Sequence, residues 1–190
     1  TPILGVNMGR FGFLAEIQRG DWRAGIEAMI GGNYWVEERM LLEARHSRGG
    51  KLLEKALVIN EVVVCRGQFV RPIRVRASVD GDELTTYVAD GVIASTPTGS
   101  TAYSLAVGGP ILPPELRNML IIPIAPHLTM DRAIILPEGA AVELLVYTDH
   151  EAVMSVDGRP PKPMLHGDQV TVSTSELKVR FVRLQNHGYF

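Results

Sequence analysis

Fifteen consecutive residues, Asp90-Gly91-Val92-Ile93-Ala94-Ser95-Thr96-Pro97-Thr98-Gly99-Ser100-Thr101-Ala102-Tyr103-Ser104, hold the densest set of groups in this chain able to meet a small polar ligand. A strand is expected to end at Ser95, a turn of small hydroxyl residues to follow, and a helix to run from about Ser100 to Val107. Such a helix start leaves several backbone N–H groups unpaired and facing outward, which suits an anion or the polar edge of a base. Gly99 would let backbone approach a ligand, Thr98, Ser100 and Thr101 offer hydroxyls, and Tyr103 adds a flat ring with a polar tip. The lysine of a G-x-x-x-x-G-K-[ST] phosphate loop is missing, so that loop is excluded. The competing reading is an ordinary Ser/Thr-capped helix.

Asn60-Glu61 is the second candidate, an amide and a carboxylate inside the apolar run Ala56 to Cys65. Neighbours in a strand face opposite ways, so one of the two should point into whatever the sheet covers, where an unsatisfied polar group costs about 1–3 kcal/mol. The alternative is a strand end exposing both. Asp90 stands where it can reach the same pocket. Asp157 precedes Gly158 in a hairpin turn favoured for backbone reasons alone and reads as structural. His127 lies in a proline-rich loop and reads as packed or solvated. The five histidines and single cysteine show no metal-ligand spacing, so no protein-built zinc site is expected.

The elements that must hold these groups are mostly strands. Ile3 to Val6 reads as a buried strand, and Asp21 as the N-cap of a helix through Ile30 that stops at Gly31-Gly32 and sets Trp22, Ile26, Met29 and Ile30 on one side. The apolar period then becomes two. Met40 to Arg45 and Leu52 to Val64 are strand-like across Gly49-Gly50, and Ile73, Val75, Ala77 and Val79 alternate up to an Asp80-Gly81 turn. Val142 to Tyr147 and Val153 to Val156 lead to the Asp157-Gly158 turn, and Val170, Val172 and Lys178 to Leu184 read as a closing hairpin. The expected fold is mainly β: a β-sandwich-like domain over 34–190 carrying one functional helix, preceded over 1–33 by the remnant of an α/β layer.

Composition narrows the function classes. The 190 residues are 46% hydrophobic, enough for a real core, and 19 basic against 21 acidic side chains leave a net charge of −2. That balance argues against nucleic acid or anionic lipid as the main partner. No run is apolar and long enough to cross a bilayer as a helix, and with one cysteine, Cys65, the expected compartment is the cytoplasm. Only four basic residues are lysines, against 15 arginines, which either serves forked recognition of carboxylates and phosphates or reflects arginine-biased composition. The chain opens on Thr1-Pro2-Ile3 and is expected to be cut from something longer.

Four blocks in register resemble the NAD kinase family: Gly5 to Leu14 (Gly-Val-Asn-Met-Gly-Arg-Phe-Gly-Phe-Leu), Asn60 to Val64, Asp90-Gly91 with Thr96 to Ser104, and Gly108-Gly109-Pro110-Ile111. Ile122 to His127 and Ser155 to Gly158 extend the likeness over nearly the whole chain. The resemblance implies transfer of the terminal phosphoryl group of ATP, or of polyphosphate, onto the 2′-hydroxyl of the NAD adenosine ribose, forming NADP, with magnesium or another divalent ion accompanying the donor. By matched position, Asn60, Thr101, Ala102 and Tyr103 would hold the adenosine end, Glu61 would meet ribose hydroxyls, and Asp90, Ser104, Ala106 and Ala125 would line the remainder, with Arg71 a weaker match. It also implies a homo-dimer or homo-tetramer, for which Trp35, Leu41, Leu42 and Met119 to Ile124 are the expected apolar contact surface.

The chain departs from the family pattern in three places. The family's Gly-Gly-Asp-Gly-Thr motif, whose aspartate is the expected general base, occurs nowhere in these residues. Among the residues present, Glu61 is the supporting catalytic candidate. Val88 stands where several relatives have arginine, and Arg159, also a candidate contact, where several have glutamine. Two further readings remain: a lipid or sphingoid kinase of the wider superfamily, and a non-catalytic dinucleotide-binding domain.

Overall fold

The computed structural model describes residues 1–8, 14–127 and 130–184. The chain divides into two compact units, one built from the described parts of Thr1–Arg39 and Lys178–Phe190, the other from Met40–Leu177. In the first, β1 (Val6–Asn7) pairs in parallel with β2 (Ile17–Gln18), Ile3 bridges Phe181, and α1 spans Trp22–Ile30. The helix ends as expected at Gly31-Gly32, with Gly32 at φ +77°. Asp21 precedes it without a side-chain cap bond, a correction to its expected role; its carbonyl alone takes the Gly25 N–H at 3.0 Å. Residues 9–13 of the Gly5–Leu14 block lie outside the described residues.

Two six-stranded sheets carry the rest. One runs β4 (Lys51–Val58), β3 (Trp35–Arg48), β14 (Gln169–Arg183), β11 (Val142–Tyr147), β6 (Ile73–Val79), β7 (Asp82–Ala89); the other runs β10 (Ile134–Leu136), β9 (Met119–Ile124), β8 (Gly91–Ser95), β5 (Glu61–Arg66), β12 (Ala152–Val156), β13 (Lys162–Met164). Alternate residues of both sheets make one core, among them Leu42, Val58, Val62, Val64, Val75, Val92, Ile121, Leu144, Met154 and Val172. The β-sandwich expectation is borne out, and period-two burial is its cause.

Three local expectations are corrected. The run Leu52 to Val64 is not one strand: β4 ends at Val58, Ile59-Asn60 form a bend, and β5 starts at Glu61 in the opposite sheet. Val170 to Leu184 is no hairpin but the single strand β14, because residues 173–177 contain no glycine or proline to turn the chain. Leu41, Leu42 and all of β9 are buried, so most of the expected oligomer surface is core; only Trp35 stays exposed.

The second sheet is covered on its outer face as well. Val63, Ile93, Ile122 and Ile124 form a smaller cluster there, with Cys65, Val107 and Ala133 packed against it. Pairing of β5 with β8 sets Glu61 opposite Ser95, Val63 opposite Ile93 and Cys65 opposite Gly91 on this face. The candidate residues collect here.

Candidate functional site

The Ile59-Asn60-Glu61 bend brings chemistry to this face, and its backbone groups are all accounted for. Asp157 lies in the β12–β13 turn at φ +49° and accepts three N–H groups: Ile59 at 3.0 Å, Asn60 at 2.7 Å and Glu61 at 3.2 Å. On the carbonyl side, Thr96 Oγ1 donates to Ile59 at 2.6 Å, the Thr96 N–H and Ser95 Oγ reach the Asn60 carbonyl at 2.9 and 3.1 Å, and the Asp157 N–H donates to Glu61 at 3.0 Å. A chain crossing between two sheets would otherwise leave these groups unpaired. Gly99 completes the corner, since a Cβ there would overlap the Asn60 carbonyl. Its small size serves contact between two protein backbones, which corrects the expectation that it admits a ligand.

The segment after β8 also differs from its expected form. Residues Thr98–Thr101 make a 3₁₀ turn, Ala102 breaks the spiral at φ −96°, ψ −125°, and α2 is a single turn, Tyr103–Ala106. The supposed free N–H groups are occupied: Gly99 N–H by Thr96 Oγ1, Ser100 by the Pro97 carbonyl, Ala102 by Gly99. Ser100 Oγ donates to the Pro97 carbonyl at 2.6 Å and accepts from Leu112 N–H at 3.0 Å. Hydroxyls competing for the backbone hold the tight turn and keep it from continuing as one helix. The Tyr103 N–H is spent on the Glu61 carboxylate.

Glu61 is 7% exposed, and one of its oxygens, Oε2, is buried without a hydrogen-bond partner among the described residues. Burial pushes its carboxyl up to about 7, the Asp157 charge adds to the rise, and the Tyr103 N–H pulls the other way. Two hydroxyls of the neighbouring segment, Thr98 Oγ1 and Ser104 Oγ, are likewise buried and without a partner among the described residues. Polar atoms in that state cost free energy that an incoming donor or acceptor recovers.

At the other end of β5, five residues or about 17 Å along the strand, Arg66 Nε meets Asp90 Oδ1 at 2.9 Å. Tyr103 lies between them. Its N–H serves Glu61, while burial and then the charges of Cys65 and Asp90 raise its phenol, with Arg66 opposing. Burial likewise pushes the Cys65 thiol up. Gly91 packs tightly below, where a Cβ would lie 2.6 Å from the Val64 carbonyl oxygen. Ala125 follows β9 in the left-handed region at φ +45°, held between the Asp90 N–H on the Ile124 carbonyl and the His127 N–H on Val88. Such a conformation strains an alanine by about 1–2 kcal/mol and is the kind of feature that clusters at binding sites.

Glu61, Asp90 and Tyr103 are thus linked through the Tyr103 N–H and phenol, while Asn60 adjoins them in the bend and Ser104 follows Tyr103 in α2. Thr101 lies in the 3₁₀ turn with Oγ1 on the Thr98 carbonyl at 3.2 Å, Ala102 is the half-buried break, and Ala106 ends α2 exposed. Arg159 is exposed in the Asp157 turn, its carbonyl taking Ser155 Oγ at 2.8 Å. Arg71 sits exposed between β5 and β6, and no hydrogen bond or ion pair among the described residues joins it to the site. His127 is exposed. Sequence reasoning missed Cys65 as part of this face and the three-fold grip of Asp157; period-two alternation from Glu61 identifies the first, and no local signal identifies the second.

Comparison with known proteins gives a consistent result. Residues 59–184 match the model of the ATP-NAD kinase C-terminal domain. Over the whole chain, it is 46% identical to NAD kinase of Heliobacterium modesticaldum and 42% identical to that of Desulforamulus reducens, spanning 67% and 66% of their lengths. Yeast NADH kinase, solved in complex with NADH, superposes with a TM-score of 0.88 at 28% identity over 96% of this chain and 54% of its own. An NAD kinase from Archaeoglobus fulgidus in complex with ATP gives 0.82 at 26% identity over all of this chain and 70% of its own.

Proposed function

This chain belongs to the NAD kinase family, and from that membership and the site geometry we infer that it binds the dinucleotide in an enzyme that forms NADP. The reaction moves the terminal phosphoryl group of ATP, or of polyphosphate, to the 2′-hydroxyl of the NAD adenosine ribose. The observation that carries this reading is Glu61: a buried carboxyl raised to about 7, with one oxygen unpartnered, beside a half-buried amide and an aromatic ring. A carboxyl in that state accepts from or donates to ribose hydroxyls, while the Asn60 amide meets the base edge and the Tyr103 ring offers an apolar face. In the same reading Thr101, Ala102, Ser104, Ala106, Asp90 and Ala125 line the dinucleotide, with Arg71 and Arg159 at its periphery.

Among the described residues no group of three or more His, Cys, Asp or Glu side chains fits a metal ion. The reading therefore assigns no step to metal bound by these residues; magnesium belongs with the phosphate donor. The division into an α/β remnant over 1–33 and a β-rich domain over 34–190 is part of the same proposal. No helix of the described chain is long and apolar enough to cross a membrane, and a cytoplasmic location is part of the proposal. So is a homo-dimer or homo-tetramer, which rests on family likeness now that Leu41, Leu42 and β9 prove to be core; sedimentation equilibrium at micromolar concentration tests it.

Calorimetry of the 190-residue chain with NAD and NADP tests the reading, with nicotinamide mononucleotide, which lacks the adenosine, as control. NAD is expected to bind and Asn60→Ala to weaken it by about 1–3 kcal/mol without a matching loss of melting temperature. Absence of NAD binding, or equal binding of the mononucleotide, overturns it. Because these residues contain no Gly-Gly-Asp-Gly-Thr motif, the polypeptide alone is expected to turn over little, the loss of a general base typically costing about 10²–10⁴-fold. Robust NADP formation by this chain would require a base among the residues present, with Glu61 first.

A further inference from the structure

Asp157 sits in a turn that its own local chemistry does not explain. An Asp-Gly hairpin needs a residue that tolerates positive φ, and asparagine or glycine meets that need as well as aspartate. Side-chain bonds of a turn aspartate usually close on its own backbone about two residues away. Here both carboxylate oxygens are turned instead to backbone 96–98 residues distant in sequence, Oδ2 to Ile59 and Oδ1 to Asn60 and Glu61. The bond is reciprocal, because the Asp157 N–H returns to the Glu61 carbonyl at 3.0 Å.

We propose that Asp157 is a positioning residue for the amide–carboxylate pair Asn60-Glu61, its carboxylate fixing the corner from which both side chains leave for the ligand. Three N–H donors converge on one anion, the arrangement that best holds an irregular backbone in a single geometry. The converse follows from the same placement. With the N–H groups taken, the aspartate charge stands next to Glu61 and favours its protonated form, so one residue sets both the direction and the charge of another. Among the described residues the groups around Glu61 are few: Asp157 from the β12–β13 turn, the Tyr103 N–H from α2, Cys65 further along its own strand, and the Arg66–Asp90 pair with the Tyr103 phenol beyond it.

The consequence for binding rests on the NAD reading; the positioning itself is a property of the free chain, and the two are tested separately. In the wild-type chain, a through-hydrogen-bond coupling between the Asn60 amide nitrogen and the Asp157 carboxyl carbon is expected by NMR, and its absence overturns the proposal. In Asp157→Asn, Oδ1 still serves Asn60 and Glu61 while an NH₂ donor meets the Ile59 N–H. The Glu61 carboxyl, followed by its ¹³C shift, is expected to titrate near 7 in the wild type and clearly lower in this variant; an unmoved midpoint overturns the proposal. Calorimetry should then find NAD binding about tenfold weaker in Asp157→Asn, the equivalent of one charge-assisted hydrogen bond. In a Glu61→Gln background the same change should cost no more than about twofold. Equal losses in both backgrounds make Asp157 merely structural. If the wild type binds no NAD, the functional reading fails and the two NMR measurements still decide the positioning.

Discussion

Two Asp-Gly turns in this molecule share a sequence signature and a backbone shape, and they do different work. Asp80-Gly81 joins β6 to β7 with Asp80 at φ 53° and Gly81 at φ +92°; Asp157-Gly158 follows β12 with φ 49° and +69°. Asp80 Oδ1 takes one exposed N–H, from Ala141 at 2.8 Å, and steadies the end of a sheet. Asp157 takes three, at the point where the chain changes sheets beside a buried carboxyl. The local turn is the same solution to the same backbone problem, so the difference lies in what each turn meets across space. A dipeptide that reads as structural becomes part of a site when a bend with unpaired N–H groups is brought against it.

The comparison can be broken most forcefully through its glycines. Gly99→Ala drives a Cβ into the Asn60 carbonyl and is expected to destabilise the chain by more than about 3 kcal/mol. Gly81→Ala meets open space and suffers only its left-handed strain, about 1–2 kcal/mol. Denaturant unfolding of both variants checks the ratio, and equal losses would show that the Asn60 corner yields.

Next come the aspartates. Alanine strains both turns about equally, so the difference between Asp157→Ala and Asp80→Ala isolates the N–H groups left behind. Asp157→Ala should exceed Asp80→Ala by about 2–4 kcal/mol, read from melting or denaturant curves. A difference near zero would mean that water replaces the carboxylate without loss.

A pH series sharpens the same contrast with a smaller effect. Glu61 has its carboxyl raised from 4.5 to about 7 in the folded chain, so folded protein holds a proton that the unfolded chain releases. Its contribution to stability is fully present below about pH 4.5 and is lost as pH rises through about 7. Glu61→Gln, neutral throughout, should remove that decline from the stability profile, and a profile unchanged by the substitution would show that Glu61 is not raised. The smallest effect is expected for Asp80→Asn, which keeps both the left-handed tolerance and an oxygen for Ala141. Its melting curve should match the parent within about 0.5 kcal/mol.

Much of this architecture was legible in the chain because burial enforces a period of two. Val142–Tyr147 and Ile73–Val79 coincide with their expected strands, since each strand buries every second residue in the core. The same logic failed between Leu52 and Val64, where the chain crosses from one sheet to the other at Ile59-Asn60 with buried apolar residues on either side, Ala56 and Val58 before the bend and Val62 to Val64 after it. Apolar pattern records that a residue is inside; it does not record which sheet it belongs to. The candidate site was legible as residue types, with Asn60, Glu61, Asp90 and Tyr103 found together. Its internal wiring was not, because hydroxyls and N–H groups expected to face a ligand are used by the protein itself at Gly99, Ser100 and Thr101.

The sequence by itself determined a mainly β chain, the two Asp-Gly turns, the end of α1 at Gly31-Gly32 and the family likeness carried by four motifs. Each of these depends on interactions within a few residues or on the order of residue types. Tertiary structure alone decided that Asp157 grips residues 59–61, that Gly99 lies against Asn60, and that Glu61 is buried with an unpartnered oxygen and a raised carboxyl. Those facts join positions 39–98 residues apart, and an isolated strand or turn carries neither the burial nor the neighbouring charge that produces them.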